Sequence, residues 1–186
     1  MESYQITGWC RHFMEEQVKP GDICIDATAG NGNDTLTLCR LAGEKGKVYA
    51  FDIQKAALEK TGRRLEAEGL RAELILDGHE HMEKYVKEKG EVSCIVFNFG
   101  YLPGGSHSLA TRADTSIRAV EAGLSLLKKG GLMSLCIYSG GDSGFEEKEA
   151  LLAWLKHLDG RRYLVIKSEY YNRPNHPPVP VLVIRV

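Results

Sequence analysis

The chain carries almost no net charge: 24 Lys and Arg stand against 25 Asp and Glu, leaving −1 over 186 residues. No overall field attracts it to nucleic acid, so any RNA contact must rest on a local patch. Its five cysteines, at positions 10, 24, 39, 94 and 136, form no C-x-x-C pair, and three lie inside apolar, strand-like runs as small hydrophobes. That usage fits a reduced, cytoplasmic chain. Long apolar runs are also missing, so no membrane span is expected. Residues 1–19 mix both charge signs without an apolar centre, and no secretion signal is expected there. No repeat or linker interrupts the sequence. What is present is 43% hydrophobic residues, enough for one globular domain over residues 1–186.

Short apolar runs alternate with longer amphipathic ones, which is the pattern of a parallel sheet covered by helices on both faces. Strands are predicted over 22–27, 48–52, 72–77, 92–98, 132–138, 163–170 and 180–186, seven in all. Helices are predicted over 8–18, 33–42, 54–69, 79–88, 114–128 and 145–158. Gly130-Gly131 reads as the C-cap of the helix over 114–128, leading directly into the fifth strand. The last two strands are joined by a Pro-rich stretch, Asn172 to Pro180, with no helical pattern, and so should form an antiparallel hairpin. The expected fold is α/β and Rossmann-like: a seven-stranded, mostly parallel sheet with an antiparallel C-terminal hairpin, as in class I methyltransferases.

The most informative run is Asp26-Ala27-Thr28-Ala29-Gly30-Asn31-Gly32-Asn33-Asp34-Thr35, set between the strand Ile23-Cys24-Ile25 and the apolar start of a helix. Glycines at 30 and 32 let backbone N–H groups approach a ligand, beside a helix N-terminus. The acids at 26 and 34 disfavour a phosphate and favour a cationic ligand carrying a ribose and an amino acid, such as S-adenosylmethionine. Asp52, with Ile53 and Gln54, closes the second strand 22 residues after Gly30, where a carboxylate can accept from two ribose hydroxyls. Thr35 stands where a dinucleotide site would carry a third glycine. Asp77, Gly78 and His79 end the third strand, where they could hold an adenine amino group. Each acid also has a plainer reading, since Asp34, Thr35 or Asp52 could simply cap a helix. The run Asp77-x-His79-x-His81 lacks further ligands at useful spacing, so no metal is expected.

The fourth strand ends in Asn98-Phe99-Gly100-Tyr101-Leu102-Pro103-Gly104-Gly105. In a sheet of this kind it neighbours the first strand, so Asn98 and Tyr101 should face the reactive end of the cofactor. Methyl transfer is an in-line displacement, and an amine reacts when its lone pair is free and aimed. The Asn98 amide carbonyl can accept the amine's hydrogens, and Tyr101 can stack on a base or touch a cation. A Pro-Gly turn with a buried Tyr is the alternative. His107, Arg112 and Thr115 could line the acceptor side, with helix capping by Asp114 or Thr115 as the plainer role.

The segments D-A-T-A-G-N-G-N-D-T, F-D-I-Q, D-G-H, F-N-F-G-Y-L-P-G-G, the stretch from Gly140 to Glu149 and the late N-x-x-N-x-P-P together resemble a bacterial family named for rRNA methylation. The resemblance runs from about residue 9 to the C-terminus; its specific parts are N-F-G-Y-L-P-G-G and the late loop. It implies an S-adenosylmethionine-dependent methyltransferase, whose studied members methylate the aminomethyl group of 5-aminomethyl-2-thiouridine at the tRNA wobble position. Arg173 departs from the family, whose members more often carry Gln there. An anticodon base is most easily read when flipped from a loop. Tyr138, Tyr170, Tyr171, Asn172, Arg173 and Asn175 could then stack on or hydrogen-bond the RNA, and Arg161, Arg162, Lys167 and Arg173 could meet phosphates. The expected partner is the tRNA anticodon loop, with rRNA or a small amine as other acceptors and a non-catalytic cofactor-binding scaffold as a third reading. A homodimer would enlarge the limited RNA surface of so small a domain.

Overall fold

The computed structural model describes residues 5–100, 112–139 and 141–186. In chain order it contains α1 (Ile6–Gln17), β1 (Ile23–Asp26), α2 (Asn33–Ala42), β2 (Lys47–Asp52), α3 (Lys55–Ala67), β3 (Glu73–Leu76), a 3-10 helix (His79–Lys84), β4 (Val92–Phe99), α4 (Ala113–Leu126), β5 (Leu127–Ile137), α5 (Gly141–Leu155), β6 (Tyr163–Lys167) and β7 (Val179–Arg185). One sheet holds all seven strands in the order β3-β2-β1-β4-β5-β7-β6. The first five run parallel, and β7 enters antiparallel between β5 and β6.

The reversal of strand order beside β1 is what places a ligand site. Chain leaving β1 goes to one side of the sheet and chain leaving β4 to the other, so a crevice opens at their C-terminal ends. Central strands are buried on both faces, which explains their unbroken apolar runs: Cys24, Ile25, Ile95 and Phe97 are almost fully shielded. One large apolar cluster joins Phe51, Phe97, Phe99, Leu126 and Val181, and a second packs Met14, Leu36, Leu38, Val48 and Val96.

Two local expectations are corrected. The helix predicted over 79–88 is a single 3-10 segment ending at Lys84. Asp77 pulls this turn tight: its Oδ1 lies 2.8 Å from His81 Nδ1, and its Oδ2 accepts from Tyr85 Oη at 2.8 Å. Gly130-Gly131 is no helix cap. Helix α4 stops at Leu126, Leu127 is already extended, and the strand begins there rather than at 132. Between the pairs Val92↔Leu127 and Cys94↔Leu132, β4 advances two residues and β5 advances five, so residues 128–131 bulge out. Gly130 adopts φ +74° within that bulge, a conformation open to glycine at little cost.

Candidate cofactor and acceptor site

The loop after β1 is threaded between its neighbours. Ala27 N–H donates to the Val96 carbonyl and Ala29 N–H to the Phe51 carbonyl, both at 2.9 Å. Asp26 is fully buried beneath the loop and accepts from Thr28 N–H at 3.1 Å and from Thr35 Oγ1 at 2.6 Å. Thr35 is therefore the floor of the loop rather than a helix cap. Gly32 is the N-cap of α2, at φ +79°.

Asp52 joins β2 to this loop. Its Oδ2 accepts from Gly30 N–H and its Oδ1 from Gln54 N–H, each at 2.8 Å. The capping and ribose roles are compatible, because each carboxylate oxygen keeps a second lone pair for a hydroxyl. Ile53 stands beside it with 57% of its surface exposed, an apolar face at the ligand edge.

Helix α3 braces the loop from outside. Lys60 Nζ donates to Asn31 Oδ1 at 2.6 Å, and Arg64 donates to the Asn31 carbonyl and, at 2.8 Å, to Asn33 Oδ1. Thr61 Oγ1 donates to the Gly30 carbonyl at 3.3 Å. A Cβ on Gly32 would lie only 2.7 Å from that same hydroxyl oxygen. Lys60, Thr61 and Arg64 carry no local motif and read in sequence as an ordinary helix surface; only their spacing of one helical turn hints at a shared face.

On the acceptor side, Asn98 N–H donates to Thr28 Oγ1 at 2.8 Å and Asn98 Nδ2 donates to Asp34 Oδ2 at 2.9 Å. A carboxylate only accepts, so Asp34 fixes which way the amide faces and turns its carbonyl oxygen away. The structure thus brings Asp26, Thr28, Gly30, Gly32, Asp34, Thr35, Asp52 and Asn98 to one edge. Gly100 lies at φ +145°, and a Cβ there would come within 3.0 Å of Tyr138 Cβ. Tyr138 is half-buried against Ile6, Cys10 and Cys136. Its N–H donates to the Phe99 carbonyl, extending the β4–β5 ladder. Tyr101, Leu102 and His107 lie outside the described residues.

Arg112 is the N-cap of α4 and pairs with Asp114 at 3.8 Å, while Thr115 Oγ1 donates back to the Arg112 carbonyl at 2.9 Å. Neither side-chain contact reaches the cofactor loop. Buried Glu147 accepts from Ser116 Oγ at 2.5 Å and ties α5 to α4. Because β7 runs antiparallel to β5, the loop before it returns to the cofactor edge: Val179 pairs with Ile137. Tyr171, Asn172, Arg173 and Asn175 are exposed on that loop.

The expected basic patch does not exist as one surface. Strand β6 pairs antiparallel with β7 and therefore runs in the direction of β5, which leaves Arg161 and Arg162 at the opposite edge of the sheet from Arg173. Arg161 pairs there with Asp159, and Lys167 pairs with Glu169.

The Asp77 turn holds two histidines apart. His81 and Tyr85 hydrogen-bond Asp77 and hold its carboxyl well below the usual range, to about 2. His79 is buried edge-on to Phe97 and Phe99, with Nδ1 3.2 Å from the Ala27 carbonyl. A carbonyl only accepts, so Nδ1 carries the proton; burial lowers the pKa of the ring and keeps it neutral. Gly78 lies between these two anchors. Among the described residues, no group of three His, Cys, Asp or Glu is placed to hold a metal ion.

The electrostatics of the loop fit a cation. Burial, and then the charge of Asp34, push the Asp26 carboxyl up to about 7. A positively charged ligand beside these acids would relieve both effects, whereas a phosphate would worsen them.

Fold and site together define a class I S-adenosylmethionine-dependent methyltransferase. Residues 48–184 match the family described as "Putative rRNA methylase", and the chain belongs to that family. It is 41% identical to a chloroplastic tRNA (mnm5s2U34)-methyltransferase of Arabidopsis thaliana, over 89% of this chain and 65% of that protein. The chain thus spans just under two thirds of the length of that relative. A "putative rRNA-methylase" of Clostridium thermocellum superposes with TM-score 0.96 at 41% identity, covering 100% of both chains. A "putative methyltransferase" of Streptococcus mutans solved in complex with SAH gives TM-score 0.89 at 37% identity, also over 100% of both chains.

Proposed function

We propose that this chain is an S-adenosylmethionine-dependent N-methyltransferase that methylates the aminomethyl group of 5-aminomethyl-2-thiouridine at the tRNA wobble position. The observation that carries it is the Asn98–Asp34 hydrogen bond, which uses the amide's N–H beside the cofactor loop and leaves its carbonyl oxygen as an acceptor for an amine's hydrogen. The Arabidopsis relative, named for the methylated wobble nucleoside, supports the choice of substrate, and the SAH complex of the Streptococcus mutans relative supports the cofactor.

Asp52 would hold the ribose, Ile53 the adenine face, and the loop from Asp26 to Asp34 the amino-acid end. Bound there, S-adenosylmethionine supplies an electrophilic methyl group that leaves a neutral thioether when displaced. The Asn98 carbonyl oxygen accepts one N–H of the incoming primary amine and so directs its lone pair. As the new N–C bond forms, the nitrogen becomes cationic at the Asn98 carbonyl, whose amide Asp34 holds from its other side. Loss of one proton to solvent then yields the secondary methylamine. Free, buried cysteines at all five positions fit the reducing cytoplasm, and no helix among the described residues is long and apolar enough to cross a membrane.

Incubation with labelled S-adenosylmethionine and tRNA carrying 5-aminomethyl-2-thiouridine tests the reading. Label should enter that nucleoside. Transfer to rRNA with none to this tRNA would overturn the assignment.

A further inference from the structure

Beside the acceptor site, at the same sheet edge, a groove of about 210 Å³ lies between α5 and the loop before β7. Lys148, Tyr170, Arg173, Asn175 and His176 are among its walls. The strand order puts β7 two positions from β4, so Val179 in the groove wall lies ~10 Å across the sheet from Phe99, the neighbour of Asn98. Its volume falls below the about 300 Å³ at which sites for drug-sized molecules begin, which suits a single base-sized group.

The groove is held in shape before anything binds. Asn175 and His176 take φ +66° and +47°, left-handed values uncommon for residues with a Cβ. Ser139 Oγ donates to the His176 carbonyl at 3.2 Å, and the His176 ring stands edge-on to Phe145 with centroids 5.1 Å apart. Pro174, Pro177 and Pro178 stiffen the rim.

Its charge is positive although the whole chain is near neutral. Among the described residues, neither Lys148 nor Arg173 has an ion-pair partner, and the only carboxylate in the wall, Glu169, is held by Lys167 Nζ at 3.0 Å. Tyr170 is a partly exposed aromatic residue in the wall, and the next residue, Tyr171, is 99% exposed.

We infer that this groove is a second nucleotide subsite. It takes an unpaired nucleotide flanking the one that is methylated, with the base against Tyr170 and the phosphate between Lys148 and Arg173. Aromatic faces and paired cations are how proteins hold splayed single strands, and a base already unpaired costs least to extract. The inference rests on an RNA acceptor at Asn98, but not on which nucleoside that acceptor is.

The test is fluorescence anisotropy of the cofactor-loaded enzyme with a labelled single-stranded RNA heptamer and with a fully paired hairpin of the same bases. The heptamer should bind tighter than the hairpin. Tyr170→Ala should weaken heptamer binding at least about 5-fold. The double variant K148Q/R173Q should lower the slope of log affinity against log salt by roughly 0.7, the contribution of the one phosphate that is no longer neutralised. Cofactor affinity should stay at the wild-type value in each variant, which reports intact folding. A wild type that does not bind the heptamer, or variants that bind it as wild type does, would overturn the subsite. Failure of the wobble assignment looks different: heptamer binding would respond to these substitutions while tRNA carrying 5-aminomethyl-2-thiouridine gained no methyl group.

Discussion

Replacing Gly32 by Ala tests whether α3 sets the shape of the cofactor loop. At φ +79° a residue with a Cβ is disfavoured by about 1–2 kcal/mol. The new Cβ would also lie 2.7 Å from Thr61 Oγ1 and 3.0 Å from Thr61 Cγ2, and overpacking of that kind costs roughly 1–3 kcal/mol. Stiffening of the unfolded chain returns about 0.4–1 kcal/mol. The net loss should be about 1–4.6 kcal/mol, or roughly 2–18 °C in Tm for a chain of this size. Thr61→Ala alone should cost about 1–3 kcal/mol, because the buried Gly30 carbonyl loses its donor. Combining the two removes the atoms that clash but keeps the unfavourable φ. The double variant should therefore be about 1–3 kcal/mol more stable than the sum of the single losses predicts. Urea unfolding of the four proteins of the cycle measures this coupling, and losses that add within about 0.5 kcal/mol would refute the steric account.

Three further outcomes concern the same site. Asp52→Ala should weaken S-adenosylmethionine binding by at least about 10-fold in calorimetry, since it releases both Gly30 N–H and Gln54 N–H as well as the ribose; equal affinity in variant and wild type would sink that role. Asn98→Ala should lower kcat by roughly 100-fold, the cost of misaiming an amine, while cofactor affinity changes little; a loss confined to KM would point to binding alone. The raised Asp26 carboxyl makes a pH prediction of definite sign. Its folded value, about 7, lies above the ordinary 3.8, so its contribution to the stability of the unliganded fold is full below about pH 4 and is lost as pH rises through 7. A bound cation favours the ionised form, so affinity should rise from pH 5 to 7, and calorimetry in buffers of different ionisation heat should detect proton release near pH 6; no proton release would contradict it.

The parts of this architecture that were visible in the residues are those set by local pattern. Apolar runs such as Ile23 to Ile25, buried from Cys24 on, and Val92 to Phe97 mark central strands because parallel sheets shield both faces. Asp52 stood out because it ends a strand at a fixed distance from the glycine loop, and the C-terminal hairpin because no helix could fit between its strands. What escaped depends on pairing across long stretches of chain. Asn98 and Asp34 are 64 residues apart, and Arg64 meets Asn33 across 31. The C-terminal basic residues divide between two sheet edges only because β6 runs parallel to β5, a fact of topology that composition does not hold. Gly130-Gly131 follows a helix in sequence and imitates its cap, yet the strand pairing of Leu127 with Val92 outweighs that local signal.

The acids around the loop also explain why one constellation can serve both binding and transfer. Asp26, Asp34 and Asp52 surround a loop beside which Lys60 and Arg64 are spent on Asn31 and Asn33 on its outer side. The inner face is therefore left acidic, and burial together with the charge of Asp34 raises the Asp26 carboxyl. A sulfonium and an ammonium entering there meet carboxylates that need no reorganisation. When a neutral amine takes the methyl group, positive charge moves from sulfur to nitrogen and does not leave the site, so Asp34 can attract it at both ends of the step through its hold on Asn98. An anionic acceptor would cancel the charge on transfer and lose that attraction. On the proposed acceptor, the placement of Asp34 would favour an amine over an alkoxide or carbanion, by the same Coulomb term that favours the cofactor over a dinucleotide.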